Sequence, residues 1–368
     1  YGVSGYAFTK GEEIDVAVNA IEMVYVAEGS FFVGSGGTER DSFTDGAWVQ
    51  GGTFPYMIES EAAITMAKES GCLWDLTGSM TAGTVLPSDY PKGFAAFYCM
   101  KYEVTQGQYS DFLNLLTTAQ ANTRFPNNYG NYRHTIRKSE AGRYVCEAPD
   151  RACNYLSWMD GAAYFAWAGL RPMTEFEYEK ACRGFATPVP MERAWGNTSS
   201  RAQRNHYIDG PEDGSGEELS TSDVGGVTLG GNFNNSNTLK GPVRVGIYAA
   251  TAEAAGLDLN RENTGASYWG IMELTGNLYT RTVSVLGSGF TGSHGTGALS
   301  TAGHATSSDW PGYSGSAVSG ATGSGYRGGI WLDTSDMAHI SNRWYAKSVQ
   351  TSRSYLSGAR AVRTAPAP

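Results

Sequence analysis

The sequence has 368 residues, including 48 glycines and 22 tyrosines, and a formal net charge of -9 at pH 7. A chain of this length buries a sizeable core, and this much glycine with aromatic residues indicates a loop-rich globular protein rather than a helical bundle. The 27 lysines and arginines are dispersed, which argues against a nucleic-acid partner, and no apolar run is long enough to span a membrane.

The first hundred residues predict β-structure and an irregular segment. Two short runs, 21–26 and 29–34, have the composition of strands and are separated by a tight turn, so they predict a hairpin. Residues 35–93 lack a clear pattern, except that 59–69 predict a short helix. We interpret this segment as an insertion.

Three helices are predicted in the middle of the chain. A strand at 97–105 leads into a helix at 106–116, for which Thr105 is the N-cap. A second helix is predicted at 154–168. Thr174 caps a third, with Glu175 and Glu177 in its first turn, where the helix dipole favours anions. Capping and first-turn roles explain these carboxylates, and Glu103, better than acid-base chemistry does.

The rest of the chain is dominated by loops. Residues 183–265 have no regular pattern, and residues 286–325 are so rich in Gly, Ser, Thr and Ala that they predict a second insertion. From 327 to 363 the chain has neither strand alternation nor a helical period, and aromatic residues are mixed with polar ones. Loops of this composition on a rigid scaffold are typical of binding surfaces.

Several side chains allow two interpretations. The five cysteines are expected to be buried free thiols, although Cys146 and Cys153 are close enough in sequence for a disulfide. Arg327 and Arg360 suit pairing with buried carboxylates of the scaffold better than binding of an anionic ligand. The histidines show no spacing typical of a metal site.

Six motifs occur together in the order and type of one family. The chain resembles the formylglycine-generating-enzyme family at 23–34, 101–109, 171–184, 194–197, 270–277 and 327–331. This resemblance implies an α+β, C-type-lectin-like fold that is loop-rich, with short helices and a small mixed sheet. It covers residues 21–363, so we expect one domain over 1–368 with insertions at 35–93 and 286–325.

The resemblance also bears on chemistry. The family's enzyme uses two cysteines just after its Arg-Gly-Gly motif, whereas this sequence has no cysteine after Cys182. A thiolate is the reactive group there, so we expect no oxidase activity. Thr280 occupies a position where the family's calcium-type site normally has Glu, which leaves Glu273 as a weak metal candidate. We therefore expect no cofactor, with structural calcium as the alternative.

A non-enzymatic branch of this fold comprises the variable proteins of prokaryotic and viral diversity-generating retroelements. By that resemblance, residues 327–363 form a hypervariable ligand-binding region for an unidentified protein or cell-surface ligand, on a chain that is monomeric or weakly associating. A cell or virion surface is the expected location.

Adenine-directed mutagenesis does not yield Trp, Met, Lys or Gln, which makes Trp331, Met337, Trp344, Lys347 and Gln350 scaffold residues. Trp344 is also kept among the contacts because tryptophan is common in binding hot spots. The implied ligand-binding positions are Asp333, Ser335, Asp336, Ala338, His339, Asn342, Trp344, Tyr345, Ala346, Ser348, Ser354 and Tyr355.

Two alternatives remain open at this point. One is a divergent enzyme of the formylglycine-generating superfamily with a metal and a nonstandard site. The other is an adhesive or structural module with invariant loops.

Overall fold

The computed structural model describes residues 18–47, 53–77, 79–199, 208–209, 217–220, 240–287, 289–332 and 335–366. These residues form short elements joined by long loops, as the α+β, loop-rich fold class requires. The helices are α1 Gln106–Asn114, α2 Thr118–Arg124, α3 Trp158–Trp167, α4 Glu175–Arg183, α5 Ile247–Ala254 and α6 Arg261–Thr264, with a 3-10 turn at Ser335–Ala338.

The strands are two to four residues long. They are β1 Met23–Val26, β2 Phe31–Val33, β3 Phe43–Asp45, β4 Tyr56–Ile58, β5 Ile64–Thr65, β6 Leu73–Asp75, β7 Val85–Leu86, β8 Phe97–Met100, β9 Arg137–Lys138, β10 Tyr144–Val145, β11 Arg171–Pro172, β12 Ile208–Asp209, β13 Leu219–Ser220, β14 Thr280–Val283, β15 Tyr313–Ser314, β16 Ala317–Val318, β17 Ser324–Arg327 and β18 Ala361–Thr364.

The largest sheet joins the two ends of the described chain. Its strand order is β1-β8-β18-β11, and all three pairings are antiparallel. Strand β18 therefore lies inside the sheet, with Val362 opposite both Cys99 of β8 and Arg171 of β11. Among the described residues, parallel pairing occurs in isolated bridges such as Thr174 with Val283.

Capping boxes begin the first four helices. The hydroxyl of Thr105 accepts a bond from the Gln108 amide while the Gln108 side chain accepts one from the Thr105 amide, and Thr174 with Glu177 repeats the arrangement. These reciprocal bonds satisfy amides that have no partner within the helix. The predicted starts at Thr105 and Thr174 are confirmed. The second predicted helix begins later than expected, at Trp158 behind its cap Ser157.

Both predicted insertions contribute to the main core. Phe43, Trp74 and Tyr90 from 35–93 are buried in the same cluster as Phe165 of α3, and so is Trp310 from 286–325. The indole Nε1 of Trp158 donates to the carbonyl oxygen of Pro311 at 2.7 Å. The description of the chain as one domain with two insertions stays a prediction, but neither segment is a separate surface appendage.

Two local predictions are wrong, and a third is confirmed. The predicted hairpin does not form, because β1 pairs with β8 and β2 pairs with β4. Residues 59–69 form turns and strand β5 rather than a helix, with Ile64 and Met66 buried in the core. The five cysteines are free thiols, as expected, although Cys72 and Cys146 are only half-buried.

None of the helices in the described part of the chain has the length and apolar character that a bilayer crossing requires.

Candidate ligand-binding surface

The tail, residues 327–363, begins at a tight bend after β17. Gly328 and Gly329 both have positive φ, 92° and 72°. A Cβ at position 328 would lie 2.6 Å from the carbonyl oxygen of Leu274. Glycine is required here because only it combines this backbone conformation with so close an approach.

Buried ion pairs hold the first half of the tail to helix α4. Arg327 donates to Glu175 at 2.9 Å and to Glu179 at 2.6 Å. Arg343 donates to both oxygens of Glu175, through Nε at 2.7 Å and Nη2 at 3.1 Å. The predicted pairing of Arg327 with scaffold carboxylates is confirmed. These bonds are charge-assisted and geometrically specific, so they fix the tail on the scaffold.

Arg353 and Arg360 hold the second half of the tail. Arg353 binds Asp160 of α3 and donates to the carbonyl oxygens of Thr123 and Phe125. Arg360 donates to three carbonyl oxygens, those of Met100, Lys101 and Met272. The prediction that a carboxylate binds Arg360 directly is wrong, since backbone oxygens accept its bonds.

Four of the predicted contact positions are buried. Ala338 and Ala346 lie in the core, and His339 and Asn342 are each 7% exposed. Burial lowers the pKa of His339, and the Asn342 side chain donates to the Asp336 carbonyl oxygen and accepts from the Trp344 amide. Their predicted surface placement is wrong, because these side chains support the tail from within.

Other predicted positions do reach the surface. Asp336 and Tyr345 are exposed, and Trp344, Ser348, Ser354 and Tyr355 are half-buried. The Arg40 guanidinium lies over the ring of Trp344. Asp333 and the side chain of Ser335 lie outside the described residues.

Residues 347–352, here called the exposed loop, were largely missed from the sequence. Only Ser348 of this loop was among the predicted contacts, yet Lys347, Val349, Gln350, Thr351 and Ser352 are exposed. The loop lies between two anchors, buried Arg343 and half-buried Arg353. The signal that could have found it is the run of small and polar residues flanked by two arginines.

Aromatic residues flank the exposed loop. The ring of Tyr345 meets Tyr279 edge-on at 5.7 Å, and Tyr279 lies 5.2 Å from Tyr326. A second cluster lies just after the loop, where Tyr355 stacks on Tyr132 at 4.1 Å beside buried Trp331. Rings packed in this way lose little conformational freedom on binding.

The metal candidate Glu273 lies in a buried polar cluster. One of its carboxylate oxygens accepts from the Gly246 amide at 2.8 Å and the other has no hydrogen-bond partner. Burial raises the pKa of Glu273 to about 7 and that of Glu103 to about 8, while Arg360 opposes both shifts. Among the residues that the structure describes, no three acidic, histidine or cysteine side chains are grouped as a metal site requires.

Two concavities lie away from the tail. One of about 730 Å³ is formed by α1, the start of α2 and residues 138–144, and another of about 350 Å³ borders Glu103 and Arg244. No tail residue lines either of them.

The architecture defines a C-type-lectin-like scaffold that carries its C-terminal tail on buried ion pairs. The chain belongs to the sulfatase-modifying factor enzyme 1-like domain family, whose model matches residues 16–365. Among curated proteins, none matches the sequence.

The chain is also similar to several solved structures. PvdO from Pseudomonas aeruginosa is 14% identical, with 98% of this chain and 100% of that chain covered and a TM-score of 0.43. Treponema denticola variable protein 1 is 11% identical, with 93% and 95% covered and a TM-score of 0.43. The Major Tropism Determinant U1 variant is 12% identical, with 95% and 73% covered and a TM-score of 0.29. The family assignment depends on the sequence match and not on these superpositions.

Proposed function

We propose that this chain is a ligand-binding variable protein of a diversity-generating retroelement, with its specificity in the tail. The observation that carries the proposal is the exposed loop held between Arg343 and Arg353. Both arginines bind carboxylates of the scaffold helices, Glu175 of α4 and Asp160 of α3. A loop that is fixed before the ligand arrives loses less entropy on binding, which favours affinity.

The state of the cysteines supports a binding role over the family's thiol chemistry. The three buried thiols are Cys99, Cys153 and Cys182, and burial raises the pKa of Cys99 and Cys182 to about 12. A protonated, enclosed thiol is neither a good nucleophile nor a metal ligand. The tail itself contains no cysteine.

The burial pattern redefines the contact set. Tyr345 and Ser348 are retained, with Trp344 as a flanking ring, and the other five residues of the exposed loop are added. Lys347 and Gln350 then serve as invariable contacts, since adenine-directed mutagenesis does not produce them. Asp336 is an additional exposed position, whereas Ala338 and Ala346 are supports.

The test is to sequence the DNA near this gene and to compare related gene copies. We expect an imperfect copy of the segment that encodes residues 327–363, differing at adenines. Replacements should fall at Tyr345, Ser348 and other exposed positions, and residues 286–325 provide the control segment. Absence of such a copy, or equal variation in the control segment, would refute the proposal in favour of an invariant adhesive or structural module.

One observation favours the enzyme alternative. Glu103 and Glu273 are buried carboxyl groups with raised pKa values, and a cavity of about 350 Å³ borders Glu103. Perturbed carboxyls beside a cavity are typical of catalytic sites. Metal analysis of the purified chain distinguishes the alternatives, since stoichiometric copper or iron would favour the enzyme.

A further inference from the structure

Arg281 lies beneath the exposed loop. It belongs to β14, directly opposite Tyr326 of β17, and its guanidinium carbon is 4.4 Å from the Tyr326 ring centroid. The side chain is 1% exposed. Its Nη1 donates to the carbonyl oxygen of Gln350 at 3.3 Å, which is long for such a bond.

In the described part of the chain no carboxylate binds the remaining edge of this guanidinium, although the Tyr326 side chain lies within hydrogen-bonding reach of Arg281. Nε and Nη2 of Arg281 are buried and have no hydrogen-bond partner. Burial lowers the pKa of Arg281, and Tyr326 and Asp160 oppose that shift. Asp160 does not bind it directly, because its oxygens are held by Arg353 and Arg124. A buried cation without a bound anion is costly, so a charge at this place calls for a partner.

Two other tail-anchoring arginines show what this edge does. Arg343 uses Nε and Nη2 to bind both oxygens of Glu175, and Arg353 uses the same two atoms to bind both oxygens of Asp160. This two-point geometry matches the oxygens of a carboxylate or phosphate. In Arg281 the equivalent pair of donors is intact and unused.

Access to Arg281 depends on the exposed loop. In the described part of the chain, the bond from Arg281 to Gln350 is the one hydrogen bond that joins residues 349–352 to the scaffold. A ligand oxygen that replaces the Gln350 carbonyl oxygen therefore displaces a single long bond. The flanking anchors Arg343 and Arg353 would stay in place.

We propose that Arg281 is the anchor for an oxyanion of the ligand held by the tail, which makes an acidic macromolecule the class of partner. The inference rests on the proposed function for the ligand itself, but the anion site can be tested without that ligand. In this arrangement the rings of Tyr279 and Tyr345 contact the ligand beside the anion, and Arg281 supplies the positive charge and the directed hydrogen bonds.

The test uses the full chain and two probes, sodium acetate and inorganic phosphate, titrated at ionic strength held constant with sodium chloride. Thermal melting and the arginine Nε resonances are followed, and the Arg281 resonance is identified by its absence from R281K. We expect a saturable rise in melting temperature and a saturable shift of that resonance. Tighter binding of acetate than of phosphate would indicate a partner with carboxylate groups, and tighter binding of phosphate would indicate a phosphorylated partner.

Three variants complete the test. R281Q should lose the anion effect, and R281K, which keeps the charge without the two-point geometry, should weaken binding about 10- to 100-fold. R143Q is the matched control, because it removes an exposed cation from outside the tail by the same arginine-to-glutamine change and should leave the effect intact. If R281Q does not fold, the site is still tested by the weaker anion effect expected for R281K and by the shift of the Arg281 resonance in the wild type.

Two outcomes overturn the inference. In the first, the wild-type protein responds to neither probe. In the second, R281K and R281Q respond to the probes as strongly as the wild type does. If related gene copies show a diversified tail but the protein does not respond to either anion, only the role of Arg281 is refuted. If the protein responds to an anion but the tail is invariant among gene copies, the anion site stands and the diversified function is refuted.

Discussion

Arg353 and Asp160 form a two-point ion pair, with Nε 2.8 Å from Oδ2 and Nη2 2.9 Å from Oδ1. The carboxylate also accepts from the amide and hydroxyl of Ser157 in the capping box of α3. Asp160 therefore both completes the capping box at the start of helix α3 and fixes the end of the exposed loop.

Asp160→Asn should destabilise the fold by about 3–5 kcal/mol, because it leaves buried arginines without their counter-charge. Urea unfolding followed by circular dichroism measures this change. Glu147→Gln is the control, since its pair with Arg137 is solvent-exposed and contributes little. Equal effects of the two substitutions would contradict the anchoring role of Asp160.

Gly325→Ala should destabilise the protein by about 1–3 kcal/mol. A Cβ at this position would collide with the carbonyl oxygen of Ala346, just before the exposed loop. Gly320→Ala is the matched control, because the nearest atom to its added Cβ lies at 3.5 Å. Denaturant midpoints for both variants check the difference, and a neutral Gly325→Ala would show that the tail packs more loosely against β17.

Trp344→Ala and Tyr345→Ala should each lower the free energy of unfolding by less than about 1 kcal/mol, since neither side chain is fully buried. Both should weaken the binding of any ligand recovered by screening, because they remove rigid aromatic contact area. Thermal melting and binding assays on the same preparations separate the two effects. Loss of the folded state would instead assign both rings to the core.

A library randomised at Tyr345 and the exposed loop should remain folded in most of its members. A second library, randomised at Ala338, Asn342 and Ala346, should lose the fold in most of its members because these positions are buried. Protease resistance of displayed variants provides the comparison. Similar survival of the two libraries would refute the division into surface and support positions.

Glu273→Gln should reduce the dependence of stability on pH. Burial raises the pKa of Glu273 from 4.5 to about 7, so the folded state binds this proton more tightly than the unfolded state. Its stabilising contribution is complete below pH 4.5 and is lost as the pH rises through about 7. Arg360, Arg244 and Lys101 oppose the shift, and nearby Glu103 has a raised pKa of its own.

The glutamine variant keeps the acceptor for the Gly246 amide and has no charge to lose. Urea unfolding on either side of that pH window should therefore show a smaller decrease for Glu273→Gln than for the wild type. An unchanged decrease would assign the effect to Glu103 or other groups.

Features set by neighbouring residues could be predicted from the sequence. The caps at Thr105 and Thr174 depend on side chains three positions away, and the resemblance of six motifs implied the fold. The hairpin failed because the partner of β1 is β8, more than seventy residues distant, and the strand runs alone do not encode that choice.

Sequence-based prediction meets the same limit at the candidate binding surface, because burial in the tail depends on distant residues. Ala338 and Asn342 belong to a segment without periodicity, so nothing local marks them as buried. Their burial follows from distant contacts, such as the Ile340 amide on the Glu192 carbonyl oxygen and the Arg343 amide on that of Arg40. The unused donor edge of Arg281 was equally invisible, because it depends on what the fold leaves unpaired.

The position of β18 inside the largest sheet has a consequence for biosynthesis. This strand contains the last residues of the tail and pairs with both β8 and β11, so the sheet closes only after the ribosome has translated every tail codon. A frameshift or premature stop within the tail removes β18 and leaves two strand edges without a partner. Defective tail sequences are therefore eliminated by their own failure to fold, whereas in-frame substitutions on the exposed loop are spared.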